Sequence, residues 1–281
     1  MANTIALAEQ YLPLLDEVYQ AESKTSILDL GSADVKFTGG NKIEIFDIEM
    51  DGLGNYSRAT GFPAGDVTGT WTPYTMDFDR AKSFNVDSMD DEETLGQTFG
   101  NLVGQFIRTK VVPETDAIRF AKYATAAGLK KTGVITDAVA EIDDAEAALN
   151  DAEVPTEGRI MFVSEDFYKL LKNKITRYVA NETGINHLVE VYDEMPIVRV
   201  PKTRFNDAVQ VGANGYTANG NAIDFMIVHP GAVKQVVKHV KPRIFDPDTN
   251  QSADGWKFDY RLYHTAFVPK NKVNGIYVHT A

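Results

Sequence analysis

The chain has 281 residues, 43% of them hydrophobic, a formal net charge of −12 and no cysteine. That length and apolar content can build one large core or two smaller ones, while the acidity gives little support to a sequence-independent grip on a phosphate backbone, which requires clustered Lys and Arg. Without cysteine there are no disulfides, thiolate nucleophiles or cysteine-held zinc or iron–sulfur centres.

The first 20 residues carry no basic segment, and the first lysine is Lys24, so they do not read as a secretory leader. No run approaches the roughly 20 apolar residues of a membrane span, and a soluble cytosolic product is expected. Ile5, Leu7, Tyr11, Leu15, Val18 and Tyr19 form a partly helical pattern broken by Pro13. Residues 1–40 read as an arm with short helical pieces, or as an ordinary N-terminal helix packed on its own domain.

From Asn41 the period changes to two. Ile43 and Ile45 alternate with Glu44; after a slip at Phe46, Ile48 and Met50 alternate with Asp47 and Glu49, which predicts a strand with a bulge. A second run sets Tyr74, Met76 and Phe78 against Thr75, Asp77 and Asp79. Between them residues 51–70 carry Gly52, Gly54, Gly61, Gly65, Gly69 and Pro63 with no period. A connection this long is abnormal inside a compact domain; it fits an extended hairpin reaching a neighbour, with a plain surface loop as the alternative.

A helix is predicted from Ser88 or Asp90, with Asp91, Glu92 and Glu93 placed where the macrodipole favours carboxylates, so capping accounts for this acidic group without a metal. Leu95, Phe99, Leu102, Val103, Phe106 and Ile107 form one apolar stripe. Pro113 interrupts, and Ile118, Ala121 and the alanines to Ala127 resume until Gly128, which predicts a kinked or two-part helix. Unbroken from Asp91 to Ala127 it would run about 55 Å, longer than a small core needs.

Thr136 is the expected cap of a helix turning Val139, Ile142 and Leu149 inward, and residues 159–163 read as a buried strand. Ser164 caps the next helix, with Phe167, Leu170 and Leu171 inward, Glu165 and Asp166 early, and Lys169, Lys172 and Lys174 late. Strands are expected at 197–200 and 223–228, the second leading through His229-Pro230-Gly231 into a short helix with Val233, Val236 and Val237. This is a mixed α+β region, and neither GxGxxG nor GxxxxGK followed by Ser or Thr occurs after its strands. Residues 243–245 and 256–263 bracket a turn-rich stretch, 246–255, predicting a second projecting hairpin in which Trp256, Phe258, Tyr260 and Leu262 share one face. A short strand is expected at 275–278.

Candidate chemistry is sparse. His187, His229, His239, His264 and His279 form no HExxH, HxH or HxxxH pair, and His229 reads as a turn residue. No GxSxG elbow is present, and Asp143-Asp144 and Asp90-Asp91 lie on predicted helices where adjacent side chains point apart. No catalytic, cofactor-binding or metal-binding residue is assigned, and no cofactor is expected.

The order of these elements resembles the major capsid protein of tailed phages, the Hong Kong 97 type fold. FDRAKSFNVDSMDDEET (78–94) leading into GQFIRTKVVPETDAIRFAKYA (104–124) is similar to the strand-to-spine-helix passage of capsid proteins from phages and prophages of Gram-positive bacteria. DGWKFDYRLYHTAFVPKNKVNGIY (254–277) is similar to their C-terminal region. The resemblance implies an N-terminal arm (1–40), an extended loop (41–78), a peripheral domain with the spine helix (79–130 and 240–269) and an axial domain (131–239 and 270–281). It implies hexamers and pentamers forming an icosahedral shell around double-stranded DNA, in a virion assembled in the host bacterial cytoplasm. Partners would be other copies of the chain, a portal protein, and scaffolding or decoration proteins; DNA would be enclosed cargo with no specific site, and no membrane is involved. Expected assembly contacts are Gly52, Gly54, Arg58 and Phe62 on the first hairpin and Asp246, Asp248 and Trp256 on the second.

Two departures from the family pattern matter. Lys42 lies at the loop base and the tip holds only Arg58, so covalent crosslinking through a loop lysine is not expected. A long scaffolding segment like the one that precedes the arm in some relatives is not expected, which would imply a separate scaffold or direct assembly. The rival readings are an encapsulin-type nanocompartment shell and, from a different class, an α+β enzyme without a recognisable motif.

Overall fold

The computed structural model describes residues 23–29, 36–37, 41–58, 61–89, 103–175, 179–181, 184–186, 189–251 and 253–281. The expectations for residues 1–22, for Asp90 to Glu93, for Leu95, Phe99 and Leu102, and for His187 lie outside the described residues. In chain order, β1 (Lys36–Phe37), β2 (Lys42–Met50), β3 (Val67–Thr75) and β4 (Phe78–Asp87) precede a helix, α1 (Val112–Ala126). Then come β5 (Leu129–Thr132), α2 (Ala138–Asp151), β6 (Ile160–Ser164) and α3 (Glu165–Lys174). Short strands follow: β7 (Val179–Asn181), β8 (Gly184–Asn186), β9 (Val191–Tyr192), β10 (Met195–Val200), β11 (Val209–Gly212), β12 (Gly215–Ala218) and β13 (Ile223–Val228). Two long strands, β14 (Lys234–Phe245) and β15 (Gly255–Phe267), and a last one, β16 (Ile276–Thr280), complete the order.

The predicted first hairpin is present, but without its bulge. β2 and β3 pair in unbroken register from Lys42↔Thr75 to Met50↔Val67. The pattern slips at Phe46 because the surroundings change there. At the base Ile43 and Ile45 are buried with Met76, Val236 and Phe267, and Tyr74 stacks on Phe267 at 4.5 Å. Farther out there is no core to point to, and Phe46 rests on Trp71 at 5.1 Å. The single run expected over 74–79 is divided: β3 stops at Thr75 and β4 starts at Phe78, with Met76 buried at the corner.

Helix continues through Pro113 instead of dividing there. Residues 103–106 are helical, Ile107–Val111 form a π-turn, and α1 follows directly. A proline in a regular α-helix leaves the carbonyl four residues back without its donor and clashes with it. Here the widened turn, with the Val112 N–H donated to the Ile107 carbonyl, takes up that mismatch. The described run of 24 residues spans roughly 36 Å at 1.5 Å per residue. Its first half packs Val103, Ile107, Val111 and Val112 on Phe258, Tyr260 and Leu262; its second half delivers Phe120 and Tyr123 to another cluster. The helix ends where Gly128 passes so close to Asn274 that no Cβ would fit.

The second cluster surrounds a six-stranded sheet ordered β5-β16-β13-β6-β10-β9, with β6 parallel to β10, β5 parallel to β16, and the other pairs antiparallel. Its central strands are buried on both sides and still alternate. Met161, Val163, Phe225 and Ile227 face α2 and α3, while Ile160, Phe162, Met226 and Val228 face the end of α1. Phe162 meets Phe120 edge to face at 5.1 Å, and Phe120 meets Phe205 at 5.0 Å.

Ser164 caps α3 as expected, its hydroxyl accepting from the Phe167 N–H at 3.2 Å. Three local expectations are corrected. Asp137, not Thr136, caps α2, accepting from the Val139 N–H. Leu170 is 42% exposed, and Tyr168 takes the inward place beside Phe167 and Leu171. The helix expected after His229 is only a turn, Pro230–Ala232, followed by β14. Val233 and Val236 are buried but Val237 is 40% exposed, so the three do not share one face as a helix would require; Val233 closes the turn and the other two lie in β14.

A three-stranded antiparallel sheet, β14-β15-β4, supports the helical run. Phe258, Tyr260 and Leu262 point into its cluster as the alternation predicted, with Trp256 packed at its edge.

Candidate assembly surfaces

The tip of the first hairpin is closed by its own backbone. The Asp51 N–H donates to the Asp66 carbonyl at 3.2 Å, and the Asp66 N–H to the Asp51 carboxylate at 3.0 Å. Beyond that clasp, Ser57 and Gly61 exchange backbone hydrogen bonds, with Gly61 at φ 81, the left-handed region open to glycine. Gly54 lies against Pro63, 2.8 Å from where a Cβ would sit, whereas Gly52 borders open space. Tyr56 and Phe62 meet edge to face at 5.1 Å. Gly52, Gly54, Arg58 and Phe62 therefore share one tip, all exposed or partly so, with Phe62 89% exposed.

Sequence reasoning missed how apolar the exposed hairpin is. Phe46, Ile48, Met50, Leu53, Val67 and Trp71 are all exposed among the described residues. A contiguous apolar surface of this kind marks a partner site. The signal was available in the unexplained slip at Phe46.

Asp246 works mainly inside the second turn: its carboxylate accepts from the Thr249 N–H at 2.9 Å, and its carbonyl from the Thr249 and Asn250 N–H groups. Asp248 is exposed and Trp256 half-buried. The Ser88 hydroxyl donates to Asp254 at 2.9 Å, fastening the turn to β4. The two sets of predicted contacts thus belong to different hairpins.

Two polar arrangements were not foreseen. Asp116 on α1 is fully buried and accepts from the Ser23 hydroxyl (2.8 Å), the Lys24 N–H (3.0 Å), and the Thr25 N–H and hydroxyl (3.3 and 2.8 Å). Arg204 joins it at 3.4 Å, Arg119 donates to the Thr25 hydroxyl, and the Gln235 amide donates to the Thr25 carbonyl. One carboxylate thus pins residues 23–25 to the helix. Secondly, a cleft of about 1340 Å³ opens between the helical run, β4 with β15, and the β11–β12 hairpin. Arg80 bridges its walls, donating to Glu114 at 2.5 Å and to the Gly212 carbonyl at 2.7 Å. His264 lies on its floor, and burial, then the charges of Arg119 and Arg80, push its pKa down to about 3.

Among the described residues no three His, Asp or Glu side chains are grouped to hold a metal ion. His229 caps its turn by accepting from the Gly231 N–H, and His279 pairs with Asp224 at 3.1 Å. Glu146 on α2 is held protonated up to about pH 7, first by burial and then by its hydrogen bond to Asp193. Asp193 and Glu194 form the tight turn from β9 to β10, both at positive φ.

No family model and no curated protein matches the sequence. Solved structures do match. A solved structure from Mycobacterium phage Che8 aligns at 16% identity and TM-score 0.63, over 86% of this chain and 85% of that one. The mature capsid of bacteriophage PhiM1 aligns at 14% identity and TM-score 0.65, over 89% and 90%. A virus-like particle from Pyrococcus furiosus aligns at 12% identity and TM-score 0.55, over 96% and 99%. The chain has the α+β Hong Kong 97 type capsid fold.

Proposed function

We propose that the chain is a major capsid protein, which self-assembles as hexamers and pentamers into the icosahedral shell of a phage and has no catalytic role. The observation that carries this reading is the hairpin β2–β3: it extends an apolar surface away from every core among the described residues, and a second subunit would supply the cover that surface lacks. A fold shared with phage capsid structures over most of the chain supports it. The charge of −12 suits a wall that encloses DNA without gripping it.

On this reading residues 41–78 are the extended loop. The helical run with β4, β14 and β15 forms the peripheral domain, and the six-stranded sheet with α2 and α3 the axial domain; the boundary drawn at residue 240 then moves back to the start of β14. The residues named on the two hairpins make contacts between subunits, with Asp246 and Trp256 acting mainly by holding their turn. A portal protein and scaffolding or decoration proteins join in the host cytoplasm.

The test is to replace residues 51–66 with Asn-Gly, a two-residue connection suited to a hairpin, and compare both proteins by electron microscopy and urea unfolding. The expected outcome is closed shells, tubes or capsomer rings from the parent, and a folded subunit that forms none from the variant. Intact shells from the variant, or a parent that stays monomeric under every assembly condition, would overturn the reading. The nearly complete alignment with the virus-like particle favours a second reading, a shell around a cargo other than a genome; nucleic acid recovered from purified particles separates the two.

A further inference from the structure

The cleft beside the helix differs in charge from the rest of the molecule. Its lining includes Arg80, Lys82, Lys110 and Arg204 against the single carboxylate of Glu114, four positive charges to one negative, in a chain of net charge −12. Arg80 is matched by Glu114 and Arg204 by Asp116. Lys82 and Lys110 have no ion-pair partner among the described residues. His264, 1% exposed on the floor, has an Nδ1 without a hydrogen-bond partner, and such atoms are rare in folded proteins. Phe84 and Phe106 add an apolar wall. At about 1340 Å³ the cleft exceeds the roughly 300–1,000 Å³ of small-ligand sites and suits a length of polypeptide.

Residues 1–22 have the complementary chemistry. They hold Glu9, Asp16, Glu17 and Glu22 with no lysine or arginine, interleaved with Ile5, Leu7, Tyr11, Leu15, Val18 and Tyr19. Their point of attachment is beside the cleft. Ser23 is bonded to Asp116, whose neighbour Thr115 lines the cleft and whose ion-pair partner Arg204 lines it too. A segment tethered at the rim binds at an effective concentration in the millimolar range, and 22 residues reach up to about 70 Å when extended.

We propose that this cleft is the binding site of the chain's own residues 1–22, with their carboxylates meeting Lys82 and Lys110 and their apolar side chains lying on Phe84 and Phe106. A free acidic peptide, nucleic acid or the same segment from a second copy are the competing occupants. The proposal concerns the subunit before assembly, so it stands or falls separately from the shell reading.

The test uses the unassembled full chain, treated with a carbodiimide that joins carboxylates to lysine amines at zero length, followed by peptide mass spectrometry. The expected products join Glu9, Asp16, Glu17 or Glu22 to Lys82 or Lys110. In an equal mixture of normal and ¹⁵N-labelled chains these products carry one isotope only. Products spread evenly over surface lysines overturn the proposal, and mixed-isotope products assign the cleft to a second copy's segment. Crosslinking that rises after nuclease treatment assigns the cleft to nucleic acid. As a second reading, Lys82→Glu with Lys110→Glu is expected to speed protease cleavage within residues 1–22 by about ten-fold, less so at high salt. An unchanged cleavage rate in a folded variant overturns the proposal as well.

Discussion

The six-stranded sheet and the β2–β3 hairpin are made of similar residues put to opposite uses. In the sheet, β6 and β13 send successive side chains into two different clusters, so each residue is covered. In the hairpin only Ile43 and Ile45 at the base find cover, and the apolar residues beyond them face water. An apolar strand therefore does not by itself reveal a core. What distinguishes the two is the packing available on each face: helices and a second sheet in one case, none among the described residues in the other.

That contrast can be broken most directly by truncation. Phe162→Ala, which empties a site between Phe120 and the sheet, is expected to cost about 3–5 kcal/mol, read as a lower urea midpoint. Trp71→Ala on the hairpin is expected to change subunit stability by less than about 1 kcal/mol, because surface substitutions rarely do more, while strongly reducing assembly. Equal losses of stability would erase the distinction between the two regions.

Acid sharpens it next. His264 has a lowered folded pKa, so the unfolded chain binds the extra proton between about pH 6.5 and 3 and stability is lost as pH falls through that window. The loss is on the order of 3 kcal/mol for so buried a ring. His264→Phe is expected to flatten this acid limb in pH-dependent denaturation, and a limb of unchanged slope would show that other groups carry it.

Glu146 gives the smallest effect and the opposite sign. Its folded pKa is raised to about 7, so the folded state holds the proton, and stability declines as pH rises from about 4.5 to 7. Partial exposure screens the contribution to about 1 kcal/mol or less. Glu146→Gln is expected to remove that decline, leaving a flatter urea midpoint between pH 5 and 7.5.

The sequence was legible where structure is set locally or by complete burial. Residues 160–164 and 223–228 could be read as strands because all of them but Asp224 are buried, and Ser164 could be read as a cap because its bond is three residues long. The two hairpins were legible from glycine and turn residues between alternating runs. Illegible features depended on distant partners: the pairing with β15 that makes β14 a strand, the π-turn that carries the helix through Pro113, and short strands such as β5 that pair with β16. Of the candidate surfaces, the hairpin tip could be read from sequence. The Asp116 anchor could not, because one carboxylate among the charged residues of a helix does not announce donors 91 to 93 residues away.

The position of β16 bears on when the subunit becomes available. It lies inside the six-stranded sheet, between β5 and β13, yet residues 276–280 are the last of the described elements to leave the ribosome. Until then β13 has an open edge and Ile276 and Val278 are missing from the cluster around Phe162. Pairings this distant in sequence form slowly, and the six-stranded sheet can close only after residue 280 is made. Translation order thereby leaves the early-emerging hairpin attached to a chain whose largest sheet is still unfinished.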